Sequence, residues 1–457
     1  MSARQPEAVG LTRFSGSDLE ANELEGVEEE LAAVEEELAW QRKPKRRRWD
    51  WRTGVLGVTA GCLLGYLATR STGSFGTTAS SKEAVLVEDD PLAGNITGPA
   101  VRLYYRHDDK INQGDPILQP TCPVAVIYTE DESAADVLVL NVDSHAGMED
   151  EEFERLRKER PWQKFAAWAV ESAPNRPFLE RHFNKLREGK RNETYDFEVT
   201  YRLNSTVPAT YSYSYFNYSN SPLPVDQKRH DKIAAAFITN CQPKNARSLV
   251  LDELVSLMPG KIDSFGSCHN NADIDSTLQE LGIYDDVGTH TKWNEKITLI
   301  SRYRFTLAFE NSNDLDYATE KYFQALERGS VPLVYGPPHA AARFFPSPTA
   351  AIDLADYLPS NYTSQSTTDS EEPKELSPEA KAGIKRLADR LEYLSSEEGR
   401  EEYEEMLAWK KDTAWLEDER NPLGKVVRQA NSPYPQDCRL AGAYLGEAWA
   451  RNTWVPP

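Results

Sequence analysis

Residues 305–335 read FTLAFENSNDLDYATEKYFQALERGSVPLVY, from Phe305 to Tyr335. Phe305 to Phe309 is an apolar run of strand length, and Glu310 to Asp316 is a polar loop. Between Thr319 and Arg328 the apolar residues Tyr322, Phe323 and Leu326 recur at helical spacing. Gly329 stands where a helix C-cap belongs. Val331 to Tyr335 is a second apolar strand. Two strands joined by a helix make a crossover unit, and such units build parallel sheets. Open parallel sheets bind ligands at the carboxyl ends of their strands. Here that end carries Glu310, Asn311, Tyr317, Glu320 and Lys321 around a helix N-terminus, whose free N–H groups and dipole suit a phosphate. On pattern alone an ordinary strand–helix–strand unit with a solvated acidic loop is the simpler reading.

Working outward, the same alternation continues. On the N-terminal side, Ile233 to Ile238 is a strand whose end carries Asn240 and Cys241, and a helix runs from Ala246 to Met258. Arg247 falls in its first turn, against the dipole preference for acids there. A cation so placed makes sense facing a bound anion; a solvated arginine is the plainer alternative. Lys261 to Phe265 is the next strand. These elements define a second domain at 230–375, preceded by the linker Pro222-Leu223-Pro224. A first globular domain spans 100–225. Its strands lie in VRLYYR, CPVAVIYTE and ADVLVLNVD, with a charged helix from Glu149 to Arg160. Its apolar run Gln163 to Val170 ends at Glu171-Ser172, where a surface carboxylate is the ordinary expectation. Tyr211 to Tyr218 is dense in tyrosine and reads equally as a sugar-stacking surface or as turn-rich packing. Ser364 to Ser377 reads as a loop. Pro378 to Lys411 reads as helical, with Ile384, Leu387, Leu391 and Leu394 on one stripe. Residues 376–457 are expected to pack back on the body.

The 457 residues allow two or three domains, and a hydrophobic fraction of 39% is enough for real cores. A net charge of −21 argues against a nucleic-acid partner, which needs a basic face. The charge is uneven. Residues 1–52 read as a cytoplasmic tail, acidic from Asp18 to Glu37 and basic from Arg42 to Arg52. Leu24, Val27, Leu31, Val34 and Leu38 form an a/d pattern over about two heptads, which allows weak self-association through 24–38. Residues 53–69 are uncharged, at the short limit for a spanning helix. The basic cluster before them places the bulk of the chain in the lumen, a signal anchor of type II orientation. A short span suits early secretory membranes. Residues 70–99 are a Ser/Thr/Gly-rich stem. Five N-x-[S/T] sequons follow, at Asn95, Asn192, Asn204, Asn217 and Asn361.

FENSNDLDYATEKYFQAL followed by GSVPLVYGPP resembles the donor-binding motif of the α1,3-fucosyltransferases, most closely the plant-type enzymes that fucosylate the core of N-linked glycans. Phe237 to Leu257 and Lys261 to Asn271 extend the resemblance, which is strong from about 232 to 353 and covers nothing before about 100. It implies an α/β fold of two tandem Rossmann-like domains with a cleft between them, the acceptor on the N-terminal half and the nucleotide sugar on the C-terminal half. It also implies an inverting transfer of L-fucose from GDP-fucose to the 3-hydroxyl of an N-acetylglucosamine on a glycoprotein, at the Golgi membrane. Glu171 is then the base for the acceptor hydroxyl. Arg247 and Lys321 hold the diphosphate, and Asn311, Tyr317 and Glu320 position phosphate, nucleoside or fucose. Arg202, Asn240 and Glu310 are further candidate contacts. Arginine and lysine suffice for the diphosphate, so no metal is required and a divalent cation is at most a stimulant. The sequence shows no helical H-x-x-x-H pair and no C-x-x-C pair, which points away from a structural zinc.

The chain departs from the family pattern at three places. Ala173 delays the proline after Glu-Ser to Pro174, Asn204 replaces an aspartate, and Ala441 stands where a second C-terminal cysteine is expected. Four cysteines follow the apolar span, Cys122, Cys241, Cys268 and Cys438, and permit three pairings. Cys241 and Cys268 follow neighbouring predicted strands, which would leave Cys122 for Cys438; free buried thiols are the alternative. Two other functions stay open: an outer-chain (Lewis-type) or other acceptor, and a membrane-tethered glycan-binding protein without catalysis.

Overall fold

The computed structural model describes residues 99–106, 116–117, 122–144, 147–452 and 454. The heptad pattern, the basic cluster, the apolar span at 53–69, most of the stem and Asn95 lie outside them. Among the described residues no helix is long and apolar enough to cross a membrane.

The first half is a seven-stranded sheet. Its strands are β1 (Ala100–Arg106), β2 (Pro116–Ile117), β3 (Ala125–Tyr128), β4 (Val137–Asn141), β5 (Lys164–Ala169), β6 (Phe197–Thr200) and β7 (Val207–Pro208). Helices α1 (Asp150–Glu159) and α2 (Pro177–Arg187) cross between them. The order is β2-β3-β1-β4-β5-β6-β7. All pairings are parallel except the β2 edge. The second half has β8 (Ala234–Phe237), α3 (Arg247–Leu257), β9 (Ile262–Phe265), α4 (Ile274–Glu280), α5 (Lys292–Arg302), β10 (Phe305–Phe309), α6 (Glu320–Arg328), β11 (Val331–Tyr335), α7 (Ala340–Phe344) and β12 (Ile352–Asp353). Its order is β12-β11-β10-β8-β9, all parallel. Counted within its own half, that is 2-1-3-4-5, a doubly wound order with its switch point between β8 and β10. The core of the first sheet, β3-β1-β4-β5-β6, repeats the same order.

Helices cover both faces of the second sheet, so its strands are buried on both sides. Every residue of β10 and β11 is buried, which is why their sequences are continuous apolar runs rather than alternations. In α6, Tyr322, Phe323 and Leu326 are buried as the helical spacing requires. Gly329 ends the helix with φ +69, and a Cβ there would stand 2.5 Å from Cβ of Pro222 in the linker. Only glycine satisfies both the left-handed turn and that approach.

After the short helix α8 (Ser360–Thr363), the region expected to be helical from 378 to 411 is divided. Helix α9 (Pro378–Ser395) is capped by the Ser377 hydroxyl, which accepts from the Ala380 N–H. It stops because Ser396 leaves the helical region and Gly399 passes close to the Tyr393 carbonyl, where a Cβ would lie 2.0 Å away. Helix α10 (Arg400–Met406) restarts the chain, and α11 (Pro422–Ala430) and α12 (Gln436–Leu445) follow. The C-terminal region is not one body. Ile384, Leu387, Leu391 and Leu394 of α9 pack on α3 and the second sheet. Leu423 and Val426 of α11 pack with α6. Cys438, Leu440 and Ala441 of α12 return to the first sheet, against Val101, Leu103, Val126 and Val139. Cys122 is bonded to Cys438 and Cys241 to Cys268. Ala441 is fully buried in that contact and has no thiol to face.

Candidate active site at the meeting of the two sheets

The site begins at the strand ends. Glu171 lies two residues beyond β5. The Asp143 carboxylate, just past β4, accepts the N–H groups of Val170 at 2.8 Å and Glu171 at 3.2 Å and fixes that turn. Burial pushes the Asp143 carboxyl up; these N–H bonds and the Arg176 guanidinium oppose it. Glu171 Oε1 accepts from the Tyr317 hydroxyl at 2.7 Å, the Ser172 N–H at 2.7 Å and Asn175 Nδ2 at 3.2 Å. Its Oε2 accepts from Asn311 Nδ2 at 3.4 Å. Glu171 belongs to the first half, whereas Asn311 and Tyr317 belong to the second. Burial and the Glu171 charge hold the Tyr317 phenol well above its usual range, so it acts as a donor to the carboxylate.

The second half contributes the charged groups. Arg247 opens α3 at the β8/β10 switch point. Its guanidinium donates to the carbonyls of Phe309, at 3.3 Å, and Asn240, and its Nε has no partner. Burial lowers its pKa, and Glu310, Tyr317 and Glu171 oppose that shift. Lys321 lies in the first turn of α6, with Nζ 3.1 Å from Thr319 Oγ1, 3.4 Å from Glu310 and 3.5 Å from Glu320. Burial raises the Glu320 carboxyl, but Lys321 and Lys296 outweigh it and keep it well below the usual carboxylate range. Lys296 Nζ stands 3.3 Å from Glu320, from helix α5.

Three candidates take other places. Glu310 is 1% exposed, and its carboxylate accepts from the Thr319 N–H and hydroxyl at the start of α6, so it caps that helix rather than facing the cleft. Arg202 is buried and donates to Asp314 across the two halves, with its guanidinium over the Phe183 ring. The Asn240 side chain accepts from the Gln242 N–H at 2.7 Å and shapes the loop before Arg247. Four of the sequon asparagines, Asn192, Asn204, Asn217 and Asn361, are exposed. Among the described residues no three His, Cys, Asp or Glu side chains gather to hold a metal ion.

Asp314, Asp143 and Lys296 escaped the sequence reading. Asp314 is fully buried in the loop between β10 and α6. It accepts from Arg202, the Tyr201 hydroxyl, the Ala173 N–H at 2.9 Å and Gln365 Nε2 at 2.6 Å. The Ser312 hydroxyl donates to Ser172 Oγ at 2.7 Å beside it. The departure at Ala173 thereby has a use, since a proline there has no N–H to give. Asp143 ends the strand segment ADVLVLNVD, so the carboxyl-end rule alone would have found it.

At this site Glu171 of the first half meets Asn311 and Tyr317 of the second, whose Arg247 and Lys321 stand in the first turns of α3 and α6. Residues 227–365 match the family model described as Glycosyltransferase family 10 (fucosyltransferase) C-term. The matched range holds the whole second sheet and every donor-side residue above, so the likeness to that family rests on the second sheet and its loops. Over 156 residues it is 42% identical to a "Putative fucosyltransferase-like protein" of Arabidopsis thaliana, covering 34% of this chain and 26% of that one. It is 31% identical over 138 residues to "GDP-fucose protein O-fucosyltransferase 3" of Canis lupus familiaris, covering 30% and 24%. It is 32% identical over 185 residues to an "Alpha-(1,4)-fucosyltransferase" of Arabidopsis thaliana, covering 36% and 42%. The matches span between about a quarter and two fifths of these relatives' length. Plant-type core α1,3 specificity is not singled out among them.

Proposed function

We propose that this chain is an inverting fucosyltransferase. It moves L-fucose from GDP-fucose to the 3-hydroxyl of an N-acetylglucosamine, in the core of N-linked glycans. The observation that carries the reading is Glu171, held by Tyr317 and Asn311 of the donor half. The base of one half is thereby set against the nucleotide-side residues of the other. The Glu171 carboxylate takes the acceptor hydroxyl proton as that oxygen forms its bond to the anomeric carbon of fucose. The bond from that carbon to the diphosphate oxygen breaks on the opposite face, and the electron pair leaves with GDP. Lys321 and the buried Arg247 charge stabilise the diphosphate as its charge grows, the preorganised electrostatic contribution of such sites. Glu320, with two acceptor oxygens, suits the ribose hydroxyls. The apolar span at 53–69 and its basic flank support a type II Golgi anchor, which places the exposed sequons in the lumen. The C-terminus should therefore resist protease added outside sealed vesicles.

The test is a crossed pair of variants in the full-length protein, assayed with GDP-fucose and a panel of core, Lewis-type and protein acceptors. Glu171→Gln keeps the side chain's shape and removes its basicity, so turnover should fall roughly 10²- to 10⁴-fold with GDP affinity nearly unchanged. Lys321→Ala removes a charge-assisted hydrogen bond worth about 1.5–3 kcal/mol, so GDP binding should weaken roughly 10- to 150-fold. Near-normal turnover in Glu171→Gln removes Glu171 as the base. Absence of both transfer and GDP binding in a well-folded wild type returns the protein to a glycan-binding role.

A further inference from the structure

The aromatic run at 211–218 takes no part in the chemistry described above. Tyr213 and Tyr215 stack with ring centroids 5.3 Å apart and planes 16° apart. Trp293, at the start of α5, closes against them at 6.3 and 6.4 Å. Phe216 lies buried beneath, parallel to Trp293, while Tyr213, Tyr215 and Trp293 stay half-buried. One wall of this cluster therefore comes from each half of the molecule.

Two contacts join the cluster to the base. The Tyr211 hydroxyl donates to the Val170 carbonyl at 3.0 Å, one residue before Glu171. The Tyr211 ring meets Tyr213 on one side and Tyr317 on the other, each at 6.3 Å, and Tyr317 donates to Glu171. The aromatic run is thus fastened to the strand end that carries the base.

Resting on the fucosyl transfer proposed above, we propose that Tyr213, Tyr215 and Trp293 form a saccharide platform. It holds the acceptor glycan beyond the sugar that receives fucose. A sugar ring offers an apolar C–H face edged by hydroxyls, and Tyr and Trp offer rigid amphipathic rings that match it. Phe216 is buried, whereas Tyr213, Tyr215 and Trp293 each keep part of their surface open to a ligand. The occupant is the acceptor rather than the nucleotide, because the run is anchored to the base and not to Lys321 or Arg247.

The experiment uses the full-length protein with Tyr215→Ala, Trp293→Ala and Tyr215→Phe. Steady-state transfer is measured to free N-acetylglucosamine and to a chitobiose-containing glycan. Saturation-transfer NMR with N,N′-diacetylchitobiose and GDP reads binding without turnover. The two alanine variants should raise KM for the extended glycan roughly tenfold. They should leave kcat, GDP affinity and KM for the monosaccharide unchanged, and Tyr215→Phe should behave as wild type. An unchanged KM for the extended glycan overturns the proposal. So does a parallel loss of GDP affinity, which makes the cluster a nucleobase platform. Chitobiose that binds the wild type through these rings without any transfer leaves the platform standing and removes the transferase reading. No chitobiose binding by the wild type removes the platform, whatever the transfer assay gives.

Discussion

Ala173 shows how much one backbone N–H can carry. It donates to both Asp314 and the Tyr201 hydroxyl, two residues from the proposed base. Ala173→Pro keeps the local turn and deletes that donor, so it should cost about 1–3 kcal/mol in a urea titration and lower turnover as Glu171 loses its setting. An unchanged midpoint would show that Asp314 is satisfied without it. Asp353 makes a separate pH prediction. Burial lifts its carboxyl to about 6, above the unfolded value of 3.8; the Ala355 N–H and His339 oppose the rise and Asp356 adds to it. Because the folded chain binds the proton more tightly, its stabilising share is present below about pH 4 and is lost as pH rises through about 6. Asp353→Asn keeps the acceptor for Ala355 and never ionises. It should melt a few degrees above wild type at pH 7.5 and level with it at pH 4. Equal melting at both values would mean that Asp353 titrates normally. At this scale the sequence set Tyr317 and Lys321 in one motif, and the structure places Tyr317 on Glu171 and Lys321 in the first turn of α6. Asp143 could be found as a residue at a strand's carboxyl end, but its hold on the Glu171 turn could not, because that depends on β4 lying beside β5, with Asn141 opposite Trp168.

The elements were more legible than their joints. Strands β10 and β11 and helix α6 follow from apolar runs, a 3.6-residue stripe and a glycine stop, and the structure places them within a residue or two. The division of α9 from α10 was not legible, because it comes from Gly399 passing a carbonyl of the helix it leaves. The same kind of contact makes Gly329 a test of the linker. Gly329→Ala would take a left-handed conformation, costing about 1–2 kcal/mol, and would also press on Pro222. A loss above about 2 kcal/mol in denaturant unfolding is expected. A loss under about 0.5 kcal/mol would mean that the linker yields freely.

At the scale of the whole molecule, the second half is an insertion within the first. The chain leaves the first sheet after β7, completes the second sheet and its helices, and returns through α12 to cover the sheet it left. The Cys122–Cys438 bond ties that return across a separation of 316 residues. Cys438→Ser should cost about 2–5 kcal/mol, Cys122→Ser about the same, and the double variant no more than either alone. Additive losses would show that each cysteine acts through packing rather than through their bond. Patterning predicted that the C-terminus packs on the body. Apolar patterning did not say which sheet receives it, because both sheets present apolar faces; the pairing of Cys122 with Cys438 pointed to the first, as the structure has it.

That return path also sets an order of events during synthesis. Of the four bonded cysteines, Cys122 emerges from the ribosome first, Cys241 and Cys268 follow, and Cys438 comes after them. Pairing in order of emergence would join Cys122 to Cys241, which is not the bond in the finished protein. More than two hundred residues separate β7 from α12, and at 5–20 residues per second they take roughly ten seconds or more to make. Throughout that interval the underside of the first sheet lacks its cover and the Cys122 thiol lacks its partner. The native bond therefore forms only after α12 has been made, or replaces an earlier pairing of Cys122 by thiol–disulfide exchange.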